Sequence, residues 1–272
     1  MKRLFLLTLL GLLPLTTTAV TEQELADAIA NASNAEEKGL AIAKMADYRD
    51  TGWIDSEAQL VMTLRNRRRD ETVRKLRVKT MEVEGDGDKG MSIFETPPDV
   101  KGTIVLTWSH ATIPDQQWIY LPALKRVKRI SSRNKSGPFM GSEFAYEDIA
   151  SQELDKYTYR YLKDDFYKGM DCYKLERRPT YKYSGYTRQV VWIDKTHFNF
   201  HKIIFYDRKN AKLKRLTSED YRQYLGKYWR ADKMRMRNYQ TGKRTRLDWN
   251  DYQFGKGFTV RDFTKDALER MR

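Results

Sequence analysis

The chain has 272 residues, 40% of them hydrophobic and 12% aromatic, which is enough for one large domain with a substantial core. Its formal charge at pH 7 is +14, and its single cysteine, Cys172, excludes an internal disulfide, so burial alone is expected to hold the fold. Met1, Lys2 and Arg3 precede an apolar run from Leu4 to Leu15, and the small residues Thr17, Thr18 and Ala19 follow before the first acid, Glu22. That order is the pattern of a secretory signal, so residues 1–19 are expected to be a leader cleaved after Ala19 and residues 20–272 a single mature domain. A membrane anchor needs ~20 apolar residues, and this run is shorter and contains Pro14. Every later hydrophobic run is interrupted by charge, and a lipid anchor at the new N-terminus would need a cysteine beside the cleavage site. A strongly basic protein attracts polyanions; secretion shifts the expected partner from nucleic acid to anionic lipid headgroups, each nearby Lys or Arg adding up to about 1 kcal/mol.

Residues Glu22 to Tyr48 carry Leu25, Ile29, Leu40, Ala43 and Met45 at helical spacing, weakened midway by Asn31 to Asn34 and by Gly39, which predicts one or two short helices. From Trp53 the period changes to two: Ala58, Leu60, Met62 and Leu64 share one parity while Gln59, Thr63 and Arg65 take the other. Strands are predicted next over Val73 to Val83, Met91 to Glu95, Thr103 to Trp108, Gln117 to Leu121 and Leu124 to Ile130. They resume over Lys156 to Leu162, Cys172 to Arg177, Gln189 to Asp194, His201 to Tyr206, Leu213 to Tyr224, Tyr228 to Asn238 and Lys243 to Phe254. Turn signals separate them, among them Gly85-Asp86-Gly87-Asp88, Lys168-Gly169 and Thr241-Gly242-Lys243. Hairpin after hairpin without intervening helices excludes a parallel sheet and predicts an antiparallel sandwich, barrel or deeply curved sheet. The main interruption, Ser131 to Glu153, carries Pro138, Phe139, Met140, Phe144 and Tyr146 and is apolar for a surface loop. A short final helix is predicted behind Thr264 as N-cap, with Ala267, Leu268 and Met271.

No nucleophile elbow, His-Glu-x-x-His pair or glycine-rich phosphate loop is present, so no enzyme chemistry, cofactor or metal is expected. His197 and His201 have ligand spacing for a helix, but lie in an alternating segment. Glu84, Asp86, Asp88 and Glu95 fall at calcium-loop positions, yet Lys89 stands where the turn needs glycine, and a hairpin is the better reading.

The run Gln116-Gln117-Trp118-Ile119-Tyr120-Leu121-Pro122-Ala123-Leu124-Lys125-Arg126-Val127-Lys128-Arg129-Ile130, followed by Lys135 to Asp148, resembles the signature of the outer-membrane lipoprotein-sorting protein family. Trp192-Ile193-Asp194-Lys195, Tyr206-Asp207-Arg208 and Gln240-Thr241-Gly242-Lys243 reinforce it. The resemblance implies a mainly β, unclosed half-barrel like that of the LolA and LolB lipoprotein carriers, with covering helices. It also implies a periplasmic protein that binds lipid or lipidated protein, associated with an inner-membrane lipid-exporting transporter and the outer membrane; a monomer is expected. A carrier chaperoning acyl chains is the leading expectation; a periplasmic sensor with the same fold is the alternative. On that fold, Leu60, Met62, Leu64, Leu106, Trp108, Trp118, Tyr120 and Met236 are expected to line the cavity, with Phe139, Met140 and Phe144 as a movable cover. Lys125, Arg126, Lys128 and Arg129 are expected to meet headgroups or the membrane surface, or else to protect an edge strand.

Overall fold

A computed structural model describes residues 20–270; the leader read over 1–19 and Met271 lie outside the described residues. Two helices open it, α1 (Glu22–Ala30) and α2 (Ala35–Arg49). Thr21 caps α1 reciprocally: its backbone N–H donates to Glu24 Oε2 at 2.7 Å and its hydroxyl accepts from Glu24 N. Asn34 caps α2 by accepting from Glu37 N at 2.8 Å, so the asparagine-rich break is the boundary between two helices. Ala41, Ile42, Met45 and Ala46 form the buried side of α2, whereas Leu40, placed by sequence in the apolar stripe, is exposed.

Thirteen strands follow. Six form a first meander: β1 (Asp55–Arg65), β2 (Glu71–Met81), β3 (Lys89–Thr96), β4 (Ile104–Trp108), β5 (Gln116–Leu121) and β6 (Arg126–Ile130). Seven form a second: β7 (Tyr157–Tyr167), β8 (Met170–Pro179), β9 (Tyr186–Asp194), β10 (Phe200–Asp207), β11 (Lys212–Tyr224), β12 (Tyr228–Asn238) and β13 (Arg244–Phe254). Pairing of β1 with β13 joins them into one antiparallel sheet in the order β6-β5-β4-β3-β2-β1-β13-β12-β11-β10-β9-β8-β7. Strands β6 and β7 are its two edges, so the sheet is a half-barrel that does not close. Strand β6 starts two residues later than predicted because Pro122–Leu124 coil into a 3-10 turn ended by Lys125 at φ +45.

Alternation sorts the side chains onto two faces. Leu60, Leu76 and Phe94 sit side by side across β1, β2 and β3 on the inner face, where they join Leu25, Ile42 and Met45 of the helices in the main core. The outer face of β3 to β5 is covered by the C-terminal segment, which ends in α3 (Lys265–Arg270) and brings Phe263 and Leu268 onto Ile104, Leu106 and Trp118. Trp108 Nε1 donates to Phe263 O at 2.6 Å, and Asp55 Oδ2 accepts from Phe258 N at 2.9 Å, pinning that segment down.

Helix α2 lies along the β7 edge. A Cβ at Gly39 would stand 2.8 Å from the backbone nitrogens of both Arg160 and Tyr161, so the residue that weakens the helix in sequence is the one that permits the contact. Gly39→Val is expected to push α2 off β7 and to destabilise the protein by about 1–3 kcal/mol, read as a lower midpoint in chemical unfolding.

Candidate ligand cavity

The connection between the two edges, residues 131–156, crosses the inner side and fills one end of it. Phe139 and Phe144 are 1% and 4% exposed and belong to the main core, with Phe139 against Phe94 and Tyr146. Polar bonds seat the segment on strands from both halves of the sheet. Arg74 of β2 donates to Met140 O, Gln117 of β5 to Tyr146 O and Asn238 of β12 to Glu143 Oε2, while Glu143 N donates to Thr245 of β13. Lys214 of β11 pairs with Asp148 at 2.6 Å, both buried. Glu147 is enclosed by Tyr181, Ser184 and Gly185 N; burial raises its pKa above the usual carboxylate range. The expected flap is therefore a plug seated in the inner face.

The other end of the inner side is open. Between α2, the inner face of β8 and β9, and the loops 82–88 and 151–154 lies a cavity of about 970 Å³. Ala43, Ala46, Trp53, Leu175, Val191, Ile193 and Phe200 give it apolar walls, Arg177 stands among them, and Asp47, Asp50, Glu82, Asp88 and Glu153 lie around its mouth. A smaller space of about 470 Å³, lined by Tyr48, Trp229, Met234 and Tyr252, shares Ala46, Asp50 and Phe200 with it.

The sequence-predicted lining divides between the faces. Leu60, Met62, Leu64 and Met236 face inward, packed in the main core with Phe139, Met140 and Phe144 rather than on the open cavity. Leu106, Trp108, Trp118 and Tyr120 face outward under the C-terminal segment, which corrects their assignment to the inner face. The physical reason is that β3 to β5 are buried on both sides, so their apolar runs carry no alternation from which to read an inward parity. Leu175, Val191 and Ile193, which form the floor of this space, lie in correctly predicted strands with an inward parity shared with Tyr173; they are buried and belong to the same core cluster as Leu60 and Met62, so nothing in the sequence marks the space that opens above them.

Lys125, Arg126, Lys128 and Arg129 are exposed on and beside the β6 edge, and none has an ion-pair partner among the described residues. The carboxylates nearest to histidines are already engaged. Asp86 holds His110 Nδ1 at 2.7 Å and Ala111 N at 2.9 Å, and Asp194 holds His201 Nε2 at 2.9 Å together with the Asn199 backbone. His197 lies against Trp229 with the rings tilted and their centroids 4.4 Å apart.

At the mouth, burial and then the charges of Glu153 and Glu82 push the Asp88 carboxyl up to about 7. A carboxyl whose pKa is raised on folding binds more protons in the native state, so its contribution is favourable below the unfolded value near 4 and is lost as pH rises through about 7. Asp88→Asn is expected to flatten that decline and to raise stability at pH 8 by on the order of 1 kcal/mol, measured by denaturant titration at pH 5 and pH 8.

A protein-family model whose description reads "Uncharacterized protein" matches residues 86–270. No curated protein matches the chain. Among solved structures, an outer membrane lipoprotein-sorting protein domain from Vibrio parahaemolyticus is 56% identical, with 86% of this chain and 100% of that one covered and a TM-score of 0.85. A DUF1329 family protein from Desulfovibrio piger is 30% identical, covering 87% of this chain and 100% of that one, with a TM-score of 0.82. A LolA superfamily protein from Nitrosomonas europaea, 20% identical with a TM-score of 0.68 over 87% of this chain and all of the other, shares the fold. On the identity and coverage of the first two, and with the open half-barrel in common, the chain belongs to the outer membrane lipoprotein-sorting protein family.

Proposed function

We propose that this protein is a periplasmic carrier that holds an acyl chain of a lipid or lipidated protein non-covalently, without catalysing a reaction, on its way toward the outer membrane. The observation that carries the reading is the cavity of about 970 Å³ with one wall of Leu175, Val191, Ile193 and Phe200 and another of Ala43 and Ala46. Its volume falls at the upper end of the range of ~300–1,000 Å³ for small-molecule sites. An acyl chain in water is penalised by roughly 0.8 kcal/mol per methylene, so a chain of ~16 carbons needs on the order of 10 kcal/mol of shelter to cross an aqueous compartment. The Vibrio relative's description as a lipoprotein-sorting domain supports the same cargo class. The space is bordered by α2 and the loops 82–88 and 151–154, past which a chain would enter.

Native mass spectrometry of protein purified from a membrane-containing host is expected to find copurified lipid. Ala46→Phe, which puts a ring into the cavity from the buried side of α2, is expected to cut the bound fraction at least severalfold while the far-ultraviolet circular dichroism of the sheet is unchanged. Lipid-free wild-type protein from that host would sink the reading; lipid that is retained but never transferred between vesicles would make the protein a sensor.

We infer further that Lys125, Arg126, Lys128 and Arg129 are the membrane contact. Four free cations along one edge match an anionic headgroup layer, and they also keep β6 from pairing with another strand. Replacing all four by Gln is expected to weaken binding to vesicles containing phosphatidylglycerol by about 10-fold or more at low salt, and to leave binding to phosphatidylcholine vesicles unchanged, as measured by flotation.

A further inference from the structure

We propose that Arg177 is the anchor for an anionic head, a carboxylate or phosphate carried at the end of the sheltered chain; this rests on the cavity being an acyl site. Arg177 lies on the inner face of β8, two residues beyond Leu175, and is 3% exposed. Its Nε donates to Gln189 Oε1 at 2.8 Å and its Nη2 to Gln152 Oε1 at 3.0 Å, both neutral amide oxygens. Nη1 has no acceptor among the described residues, and no carboxylate comes within ion-pair distance of the guanidinium. Three buried lysines elsewhere in the fold do have acid partners. Lys214 has Asp148 at 2.6 Å, and Lys135 and Lys156 share Asp115.

A buried charge without a counter-charge costs several kcal/mol, and a guanidinium presents five donors in a planar fork that fits a carboxylate or phosphate edge-on. Here the fork is also held in place. The Tyr157 ring lies 4.5 Å and the Phe200 ring 5.7 Å from its central carbon, and Gln152 is oriented by donating Nε2 to Ala150 O while accepting from the Tyr157 hydroxyl. Arg177 lines the cavity together with Ala43, Ala46 and Phe200, so a head bonded to its unused donors has apolar side chains beside its aliphatic chain. The carboxylates at the mouth, Asp47, Asp50, Glu82, Asp88 and Glu153, disfavour a second negative charge outside. The geometry selects an amphiphile with one compact acidic head.

The test compares palmitate, hexadecyl phosphate and hexadecanol, which share one chain length, on the delipidated full chain by isothermal titration. At least one of the two anions is expected to bind about tenfold or more tightly than the alcohol, and which of them leads tells a fatty-acid carboxylate from a lipid phosphate. Arg177→Met is expected to bring the anions to within about twofold of hexadecanol with hexadecanol affinity unchanged, and Arg177→Lys to keep part of the preference. Three results overturn the proposal: equal binding of acid and alcohol by the wild type, a preference that survives Arg177→Met, or a loss that is the same for all three ligands, as a purely structural guanidinium would give. The wild-type ratio decides the matter even if Arg177→Met fails to fold. If none of the three binds, the acyl-cavity reading fails first and this anchor with it; if hexadecanol binds as well as the acids, only the anchor fails.

Discussion

A thirteen-stranded antiparallel sheet that stops short of closing leaves an inner face wider than its own side chains can fill, and the rest of the architecture answers that constraint. Two pieces of chain cover it. Helix α2 is laid on the β7 edge through the backbone approach at Gly39, and the connection from β6 to β7 is drawn into the other end by Phe139 and Phe144. Each covers part of the face. What neither reaches is the space in front of β8 and β9, so the cavity is a consequence of incomplete cover rather than of any specially shaped pocket wall.

Charge is distributed with the same economy. The chain is +14 overall, and its free cations on β6 stand at one rim of the sheet, yet the mouth of the cavity is acidic. Where the plug meets the sheet its buried ions are matched by opposite charge, Asp148 by Lys214 and both Lys135 and Lys156 by Asp115. Buried pairs of this kind contribute little net stability, but losing one partner is expensive, so they define where the plug sits more than how tightly it is held. The net charge of the molecule is thus a poor guide to the field met by a ligand at the cavity.

Much of the fold was legible in the sequence. The change from a 3.6-residue to a two-residue period at Trp53 marks the start of the sheet, and all thirteen strands lie where alternation and turn residues put them. Boundaries drifted where a local competitor acted, as at Pro122, which coils the chain before β6, and in β7, whose charged second half reads as loop but continues as an edge strand. The inward parity of β1 was readable because its other face is polar and half exposed. In β4 and β5 it was not, because the C-terminal segment buries Leu106 and Trp118 from outside while Val105 and Ile119 are buried from inside. The cavity was invisible for a different reason: Leu175 and Val191, which form its floor, are as buried as Leu60 and Met62 and have the same sequence pattern, and the space is bounded by the distant Ala43 and Ala46 of α2. Arg177 stood inside a recognised strand, and a charged residue at an inward position is a sign of a site that alternation alone can supply.

The seam between β1 and β13 has a consequence for how the molecule comes to exist. Every other pairing in the sheet joins strands consecutive in the chain, and such hairpins form locally and fast. The seam alone unites residues as distant as Ser56 and Phe254, 198 positions apart in the chain, so its closure carries the largest loop entropy in the sheet. Without that one ladder the chain would be two separate meanders, each with an unpaired edge at β1 or β13, so the continuity of the whole surface rests on the pairing that is most distant in the chain.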